Sequence, residues 1–116
     1  MRRLQYDVVV IGAGPAGLAA AGRAKAMGVK RVVLIDRDRE PGGILQQCIH
    51  NGFGLHLFKE ELTGPEYAYR FIEENQTAGV EVLLSTMVLQ IGSDRRIYAM
   101  NRQLGLLEIA TRAIVL

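Results

Sequence analysis

The sequence predicts an α/β fold: a mostly parallel sheet with helices on one face and a three-stranded antiparallel β-meander on the other. Two apolar, β-branched runs, at residues 8–11 and 31–35, flank an alanine-rich segment with the composition of a helix. Continuous runs of this kind are typical of buried parallel strands joined by a helix. Three more apolar runs, at residues 87–91, 97–100 and 106–110, follow one another with short turns between them. Connections that short join antiparallel neighbours, because a parallel return needs about a dozen residues or more.

The first strand, predicted at residues 6–11, leads into a glycine-rich turn and then a helix predicted at residues 15–27. Gly12, Gly14 and Gly17 follow the spacing GxGxxG. In such a turn the first glycine allows the tight bend, the second lets backbone approach a pyrophosphate, and the third lets the helix pack closely on the strand. The helix N-terminus supplies N–H groups and a partial positive charge for the phosphates. The spacing therefore favours a dinucleotide site over an ordinary strand–turn–helix connection.

The second strand, predicted at residues 31–35, ends at Asp36, which lies at about the distance from the glycine turn expected for a ribose ligand. A carboxylate there would repel a 2′-phosphate, which argues against NADP at this site. The simpler alternative is a solvated acid at the end of a strand. Arg37 is kept as a candidate cofactor-binding residue, although a surface charge is the ordinary interpretation of both Arg37 and Arg39.

The remaining elements are predicted from turn signals and apolar runs. Residues 37–62 show no regular period, and a long irregular stretch within a small domain is usually functional. A second helix is predicted to begin at Thr63 and to end before Gly79, with a third strand at residues 80–84 after it. A last apolar run, at residues 113–116, is predicted to be a separate buried strand that returns to the parallel sheet.

The composition excludes several functional classes. The chain has 116 residues, 49% of them hydrophobic, which is enough for one domain with a real core. The net charge is +2, and acidic and basic residues are interspersed, so the composition does not indicate binding to nucleic acid or to a charged membrane. No apolar run reaches membrane-spanning length, and no secretory signal is expected, because the first apolar run is the predicted nucleotide-binding strand. The single cysteine, Cys48, excludes an internal disulfide and favours the cytoplasm. His50 and His56 match no metal-ligand spacing, so no metal site is expected.

These residues together resemble the N-terminal FAD-binding part of the pyridine nucleotide–disulfide oxidoreductase superfamily of flavoproteins. The features that carry the resemblance are Gly12, Gly14, Gly17, Ala21, Gly28, Asp36, the turn at residues 40–43 and the segment at residues 86–88. The stretch at residues 43–54 is most similar to bacterial and archaeal FAD/NAD oxidoreductases related to the larger subunits of amine or opine dehydrogenases. The resemblance implies a Rossmann-like fold with FAD as cofactor, and NAD(P)H as co-substrate of a complete enzyme.

The resemblance also implies roles for individual residues. The FAD pyrophosphate would be held by the turn and the start of the helix, at Gly12, Gly14, Pro15, Ala16 and Gly17. Asp36 would bind the adenosine ribose, with Arg37 beside it. Gly42 and Gly43 would let backbone pass close to the ribityl chain and the flavin. Val88 would meet the adenine through its backbone amide and carbonyl. No residue is assigned a catalytic role.

Two departures from the family pattern bear on function. The disulfide-reductase branch carries a cysteine pair shortly after its Gly-Gly, whereas only Cys48 is present here, which argues against dithiol chemistry. Family members also continue into an NAD(P)H domain, so residues 1–116 are expected to be a fragment of a longer oxidoreductase that passes electrons from a small molecule or NAD(P)H to another acceptor. The alternatives are an NAD-binding Rossmann module, and a non-catalytic fragment or subunit that assembles with a second copy or a partner chain.

Overall fold

The computed structural model describes residues 1–39 and 64–116, apart from the side chains of residues 64, 65, 67, 68 and 71. The two helices of these ranges are α1 (Pro15–Ala26) and α2 (Gly64–Ala78). The strands are β1 (Arg2–Ile11), β2 (Val32–Ile35), β3 (Glu81–Leu83), β4 (Thr86–Ile91), β5 (Arg96–Asn101) and β6 (Gly105–Val115). They form one six-stranded sheet in the order β3-β2-β1-β6-β5-β4. The β3-β2-β1-β6 part is parallel, and β6-β5-β4 is antiparallel.

The two faces of the sheet have separate cores, because neighbouring residues of a strand point to opposite sides. Val10 of β1 and Leu34 of β2 pack with Leu18 of α1 and Ile72 of α2. On the opposite face, the residues that pack together come from the parallel strands and from the meander: Tyr6, Val9, Val33, Ile35, Ile97, Leu107 and Ile109. The α/β class, with helices on one face and the meander on the other, is therefore confirmed.

The two apolar runs predicted as separate strands, at residues 106–110 and 113–116, form the single strand β6. Its first part pairs with β5 as far as Ala110, and it pairs with β1 from Leu107 to Val115. The predicted break was wrong because Thr111 and Arg112 are polar without being turn formers, and an extended backbone accommodates them. Continuity through β6 makes the meander and the parallel strands one sheet.

A buried asparagine fixes the two connections beside β4. The side chain of Asn101 is 8% exposed, and its Nδ2 donates to the Thr86 hydroxyl (2.7 Å) and to the Leu84 carbonyl (3.3 Å). Its Oδ1 accepts the backbone N–H groups of Gln103 (2.9 Å) and Leu104 (2.8 Å). One side chain thus joins the β3–β4 connection to the β5–β6 turn.

We expect Asn101→Ala to lower the free energy of unfolding by about 2–3 kcal/mol. The substitution leaves the groups that Asn101 bonds without that partner, and each buried polar group left unpaired costs about 1–3 kcal/mol. Chemical denaturation measures the difference. Gln103→Ala changes an exposed side chain in the same turn and should stay within about 0.5 kcal/mol of the unsubstituted chain. Equal stabilities for the two variants would contradict the role given to Asn101.

Candidate nucleotide-binding site

The glycine turn that follows β1 is held against β2 and against the helix that it starts. Gly12 has a φ of +106°, and its N–H donates to the Ile35 carbonyl at 2.7 Å. A side chain would strain the backbone at that angle. A Cβ on Gly17 would lie 1.7 Å from the Gly12 carbonyl oxygen, so α1 packs directly on the backbone of the turn. These are the tight bend and the close approach that the GxGxxG spacing predicts.

Within residues 1–39 and 64–116, nothing covers the backbone at the N-cap of α1. Gly14 is the N-cap residue, with φ −75° and ψ −177°, and it provides no side-chain hydrogen bond to the first turn. A Cβ on Gly14 would meet no atom of the described residues within 4 Å. Pro15 occupies the first helical position, and both Pro15 and Ala16 are exposed. A helix start of this kind offers backbone amides and a partial positive charge to an anion.

Asp36 directly follows β2 and contacts the glycine turn. Its Oδ2 accepts the backbone N–H of Ala13 at 2.7 Å, and its Oδ1 accepts that of Asp38 at 2.8 Å. The main chain of Asp36 is bonded as well: its N–H donates to the Leu83 carbonyl (3.0 Å), and its carbonyl accepts the Thr86 N–H (2.9 Å). Asp36 therefore touches the turn, the end of β3 and the start of β4.

A cleft of about 430 Å³ opens at the carboxyl ends of β1 and β2. Its lining is Ile11, Gly12, Ile35, Asp36, Arg37, Thr86, Met87 and Val88. In open α/β sheets, ligands bind outside the carboxyl ends of the strands.

Four of the predicted site residues meet at this cleft: Gly12, Asp36, Arg37 and Val88. Gly14, Pro15, Ala16 and Gly17 belong to the adjoining turn and the start of α1. Gly42 and Gly43 lie outside the described residues, as do Cys48, His50 and His56.

Sequence reasoning did not assign the apolar walls of the cleft. Ile11 and Ile35 are the last residues of β1 and β2, so the end of each apolar run was the signal that could have identified them. Met87 is 53% exposed and precedes Val88 on β4. Nothing in its local pattern distinguishes it from a surface residue of a meander.

Val88 lines the cleft on β4, two residues after Thr86. The Thr86 N–H points away from β5, since it donates to the Asp36 carbonyl. The pairing of β4 with β5 shifts register between Val88 and Gln90. Within the described residues β4 is an edge strand, with β5 as its only neighbour. The free edge of β4 beside Val88 therefore faces a ligand that lies in the cleft.

A second polar cluster, around Tyr6, lies at the opposite end of the parallel strands. The Tyr6 hydroxyl donates to Glu81 Oε2 at 2.5 Å, and the Arg31 guanidinium lies 4.8 Å from the centre of the Tyr6 ring. Burial, and then the hydrogen bond to Glu81, raise the pKa of Tyr6 above its ordinary value. Tyr6 is thus a neutral phenol that links β1 to β3, and it does not reach the cleft.

Metal-binding clusters and membrane-spanning helices are both absent from the described part of the chain. Residues 1–39 and 64–116 contain no group of three or more His, Cys, Asp or Glu side chains that could hold a metal ion. Neither α1 nor α2, the helices of those ranges, has the length and apolar character needed to cross a bilayer.

Comparison with known proteins gives relatives that are much longer than this chain. A thioredoxin reductase of Ureaplasma parvum serovar 3 is 39% identical over 85 residues, which cover 72% of this chain and 26% of that protein. An opine oxidase subunit of Agrobacterium tumefaciens strain Ach5 is 58% identical over 63 residues, which cover 53% of this chain and 12% of that protein. The chain therefore spans about a quarter or less of these relatives.

Solved structures share the fold at low sequence identity. L-proline dehydrogenase from P. horikoshii superposes with a TM-score of 0.77 at 22% identity, covering 97% of this chain and 22% of that one. THI4 from Thermovibrio ammonificans gives a TM-score of 0.70 at 16% identity, covering 95% and 56% respectively. The sequence profile of the family described as pyridine nucleotide-disulphide oxidoreductase matches residues 6–116. With a match over nearly its whole length, the chain belongs to the pyridine nucleotide-disulphide oxidoreductase family.

Proposed function

We propose that this chain is the FAD-binding part of a longer flavin-dependent oxidoreductase. The observation that carries the proposal is the meeting of three features around one cleft: the glycine turn at the start of α1, the Asp36 carboxylate and the main chain of Val88. Each feature suits a different part of an adenine dinucleotide. The family match supports oxidoreductase chemistry, and the small share of its relatives' length that the chain spans supports a part of a larger protein.

The adenosine diphosphate half of FAD fits the described residues. In the proposed pose the pyrophosphate lies over Gly14, where no other described residue approaches, and the backbone from Gly12 to Gly17, including Pro15 and Ala16, surrounds it. Asp36 accepts hydrogen bonds from the ribose hydroxyls, for which its carboxylate oxygens have lone pairs left. The adenine pairs with the main chain of Val88.

The flavin half would lie beyond these contacts. The assignment of Gly42 and Gly43 to the ribityl chain and flavin remains a prediction, and Arg37 is proposed only as a neighbour of the adenosine end. Bound FAD would supply hydride and electron transfer, and NAD(P)H is the proposed electron donor of the complete enzyme. The residues of this chain hold and orient the cofactor.

We also propose that the chain associates with a second copy or a partner chain in the cytoplasm. Two relatives are subunits by name, one of an opine oxidase and the other the alpha subunit of a sarcosine oxidase. Among the described residues, the β4 side chains Met87, Leu89 and Ile91 are 42–55% exposed. Exposed apolar side chains grouped on one strand are typical of a surface that a further chain covers.

The cofactor assignment is tested by calorimetric titration of the purified chain with FAD, ADP, NAD and FMN. We expect FAD and ADP to bind with dissociation constants of about 1 μM or weaker, since the contacts described here serve only the adenosine half. FMN, which lacks that half, should bind at least about tenfold more weakly. Light scattering of the same samples reports association.

Three outcomes of this titration would contradict parts of the proposal. Binding of FMN as tight as that of ADP would place the site elsewhere. Binding of NAD but not FAD would indicate an NAD-binding module. A monomer with nanomolar affinity for FAD would mean that residues 1–116 form a complete flavodomain and that the proposed partial site is wrong.

A further inference from the structure

We infer that Asp36 is a positioning residue for the glycine turn, in addition to the ribose contact proposed for it. The inference rests on the proposed function, because the turn is the part of the site assigned to the pyrophosphate. It starts from a hydrogen bond that the proposed ribose contact does not require: Asp36 Oδ2 accepts the N–H of Ala13, inside the turn, at 2.7 Å.

The Asp36 carboxylate bonds the turn one residue before the N-cap Gly14. Ser, Thr, Asp and Asn are preferred at the N-cap, where the side chain accepts the N–H of the second or third helical residue. Gly14 has no side chain to do so, and the turn is instead bonded by a carboxylate 23 positions further along the chain. The partial positive charge of the α1 N-terminus favours a carboxylate at that place.

The carboxylate is itself held in position by the main chain on both sides. Asp36 N–H donates to Leu83, the Asp36 carbonyl accepts from Thr86, and Oδ1 accepts the N–H of Asp38 at 2.8 Å. With these bonds in place, the side chain connects the turn to the strand that carries Val88. The distance between the pyrophosphate end and the adenine end of the cleft therefore depends on Asp36.

Positioning and charge predict opposite effects on anion binding. Removal of the carboxylate takes a negative charge away from the proposed phosphate site, which by Coulomb interaction alone would tighten the binding of a diphosphate. If the carboxylate holds the turn, its removal loosens the amides that would bind the diphosphate, and affinity falls. With a ligand that lacks the ribose hydroxyls, an increase or a decrease in affinity therefore separates the two effects.

The experiment compares ADP with 2′,3′-dideoxy-ADP, which lacks the hydroxyls that Asp36 would bind. We expect Asp36→Ala to bind dideoxy-ADP about tenfold more weakly than the unsubstituted chain. Asp36→Asn keeps an amide oxygen that can accept from Ala13, so it should stay within about threefold. Hydrogen exchange at the Ala13 amide should accelerate in Asp36→Ala and remain slow in Asp36→Asn.

A matched variant keeps the test decisive if Asp36→Ala does not fold. In Asp36→Ser the hydroxyl can still bond the nearby Asp38 N–H but is too short to reach Ala13, so it should weaken dideoxy-ADP binding as the alanine variant does. Equal or tighter binding of dideoxy-ADP by the alanine or serine variant, with unchanged exchange at Ala13, would overturn the positioning role. If the unsubstituted chain binds no ADP, the proposed function fails, and exchange at Ala13 still decides the role of Asp36 in the turn.

Discussion

Gly17→Ala is expected to remove a large part of the folding stability of this chain. The added Cβ would lie 1.7 Å from the carbonyl oxygen and 2.9 Å from the carbonyl carbon of Gly12, and both are backbone atoms. Either α1 must move away from β1 or the turn must change shape. We expect a loss of about 3 kcal/mol or more even after alanine's better helix propensity, against a total stability of about 5–15 kcal/mol for a domain.

Two other glycines of the same segment give a graded series of controls. Among the described residues, a Cβ on Gly14 would meet nothing within 4 Å, and one on Gly22 would lie 2.6 Å from Oδ1 of the Asn75 side chain rather than from backbone. Thermal or chemical denaturation should therefore rank the alanine variants with position 14 the most stable, position 22 intermediate and position 17 the least stable. Comparable stability of the Gly17→Ala and Gly14→Ala variants would show that α1 does not pack on the turn as described.

The order of the elements could be predicted because it depends on local signals. The apolar runs at β1 and β2, the glycines between them and the closely spaced runs of the meander each lie within a few residues of sequence. The GxGxxG spacing predicted which glycine bends and which packs, and the geometry at Gly12 and Gly17 agrees with it. Periodicity and turn composition carry this kind of information directly.

The long-range parts of the cleft could not be predicted in this way. The bond between Ala13 and Asp36 joins residues 23 positions apart, and its existence depends on how far α1 sits from β2. The placement of Met87 in the cleft wall depends on how β4 crosses the end of the parallel strands. The continuity of β6 through Thr111 depends on its pairing with β1, a partner about a hundred residues earlier in the chain. Such features follow from tertiary packing, which local patterns do not encode.

Gly14→Val is expected to have the largest effect on ligand binding while leaving the fold in place. The backbone at Gly14, with φ −75° and ψ −177°, is extended and accessible to valine, and a Cβ there would meet no atom of residues 1–39 and 64–116 within 4 Å. The loss of stability should therefore stay near the cost of a poor N-cap residue, about 1 kcal/mol. The isopropyl group would project into the open space proposed for the pyrophosphate, with the start of α1 on one side of it.

We expect Gly14→Val to weaken ADP binding by at least about a hundredfold, or about 2.8 kcal/mol, measured by calorimetric titration beside thermal denaturation. Ala26→Val is the matched control, because it places the same isopropyl side chain at an exposed position at the far end of α1. That variant should bind ADP within about twofold of the unsubstituted chain, since its side chain is remote from the turn. Because the two variants place valine at the two ends of α1, a general loss of helix stability would weaken binding in both, whereas a blocked pyrophosphate site affects only position 14. Retention of ADP binding by a folded Gly14→Val variant would mean that the phosphates do not approach this turn, and the proposed cofactor pose would be wrong.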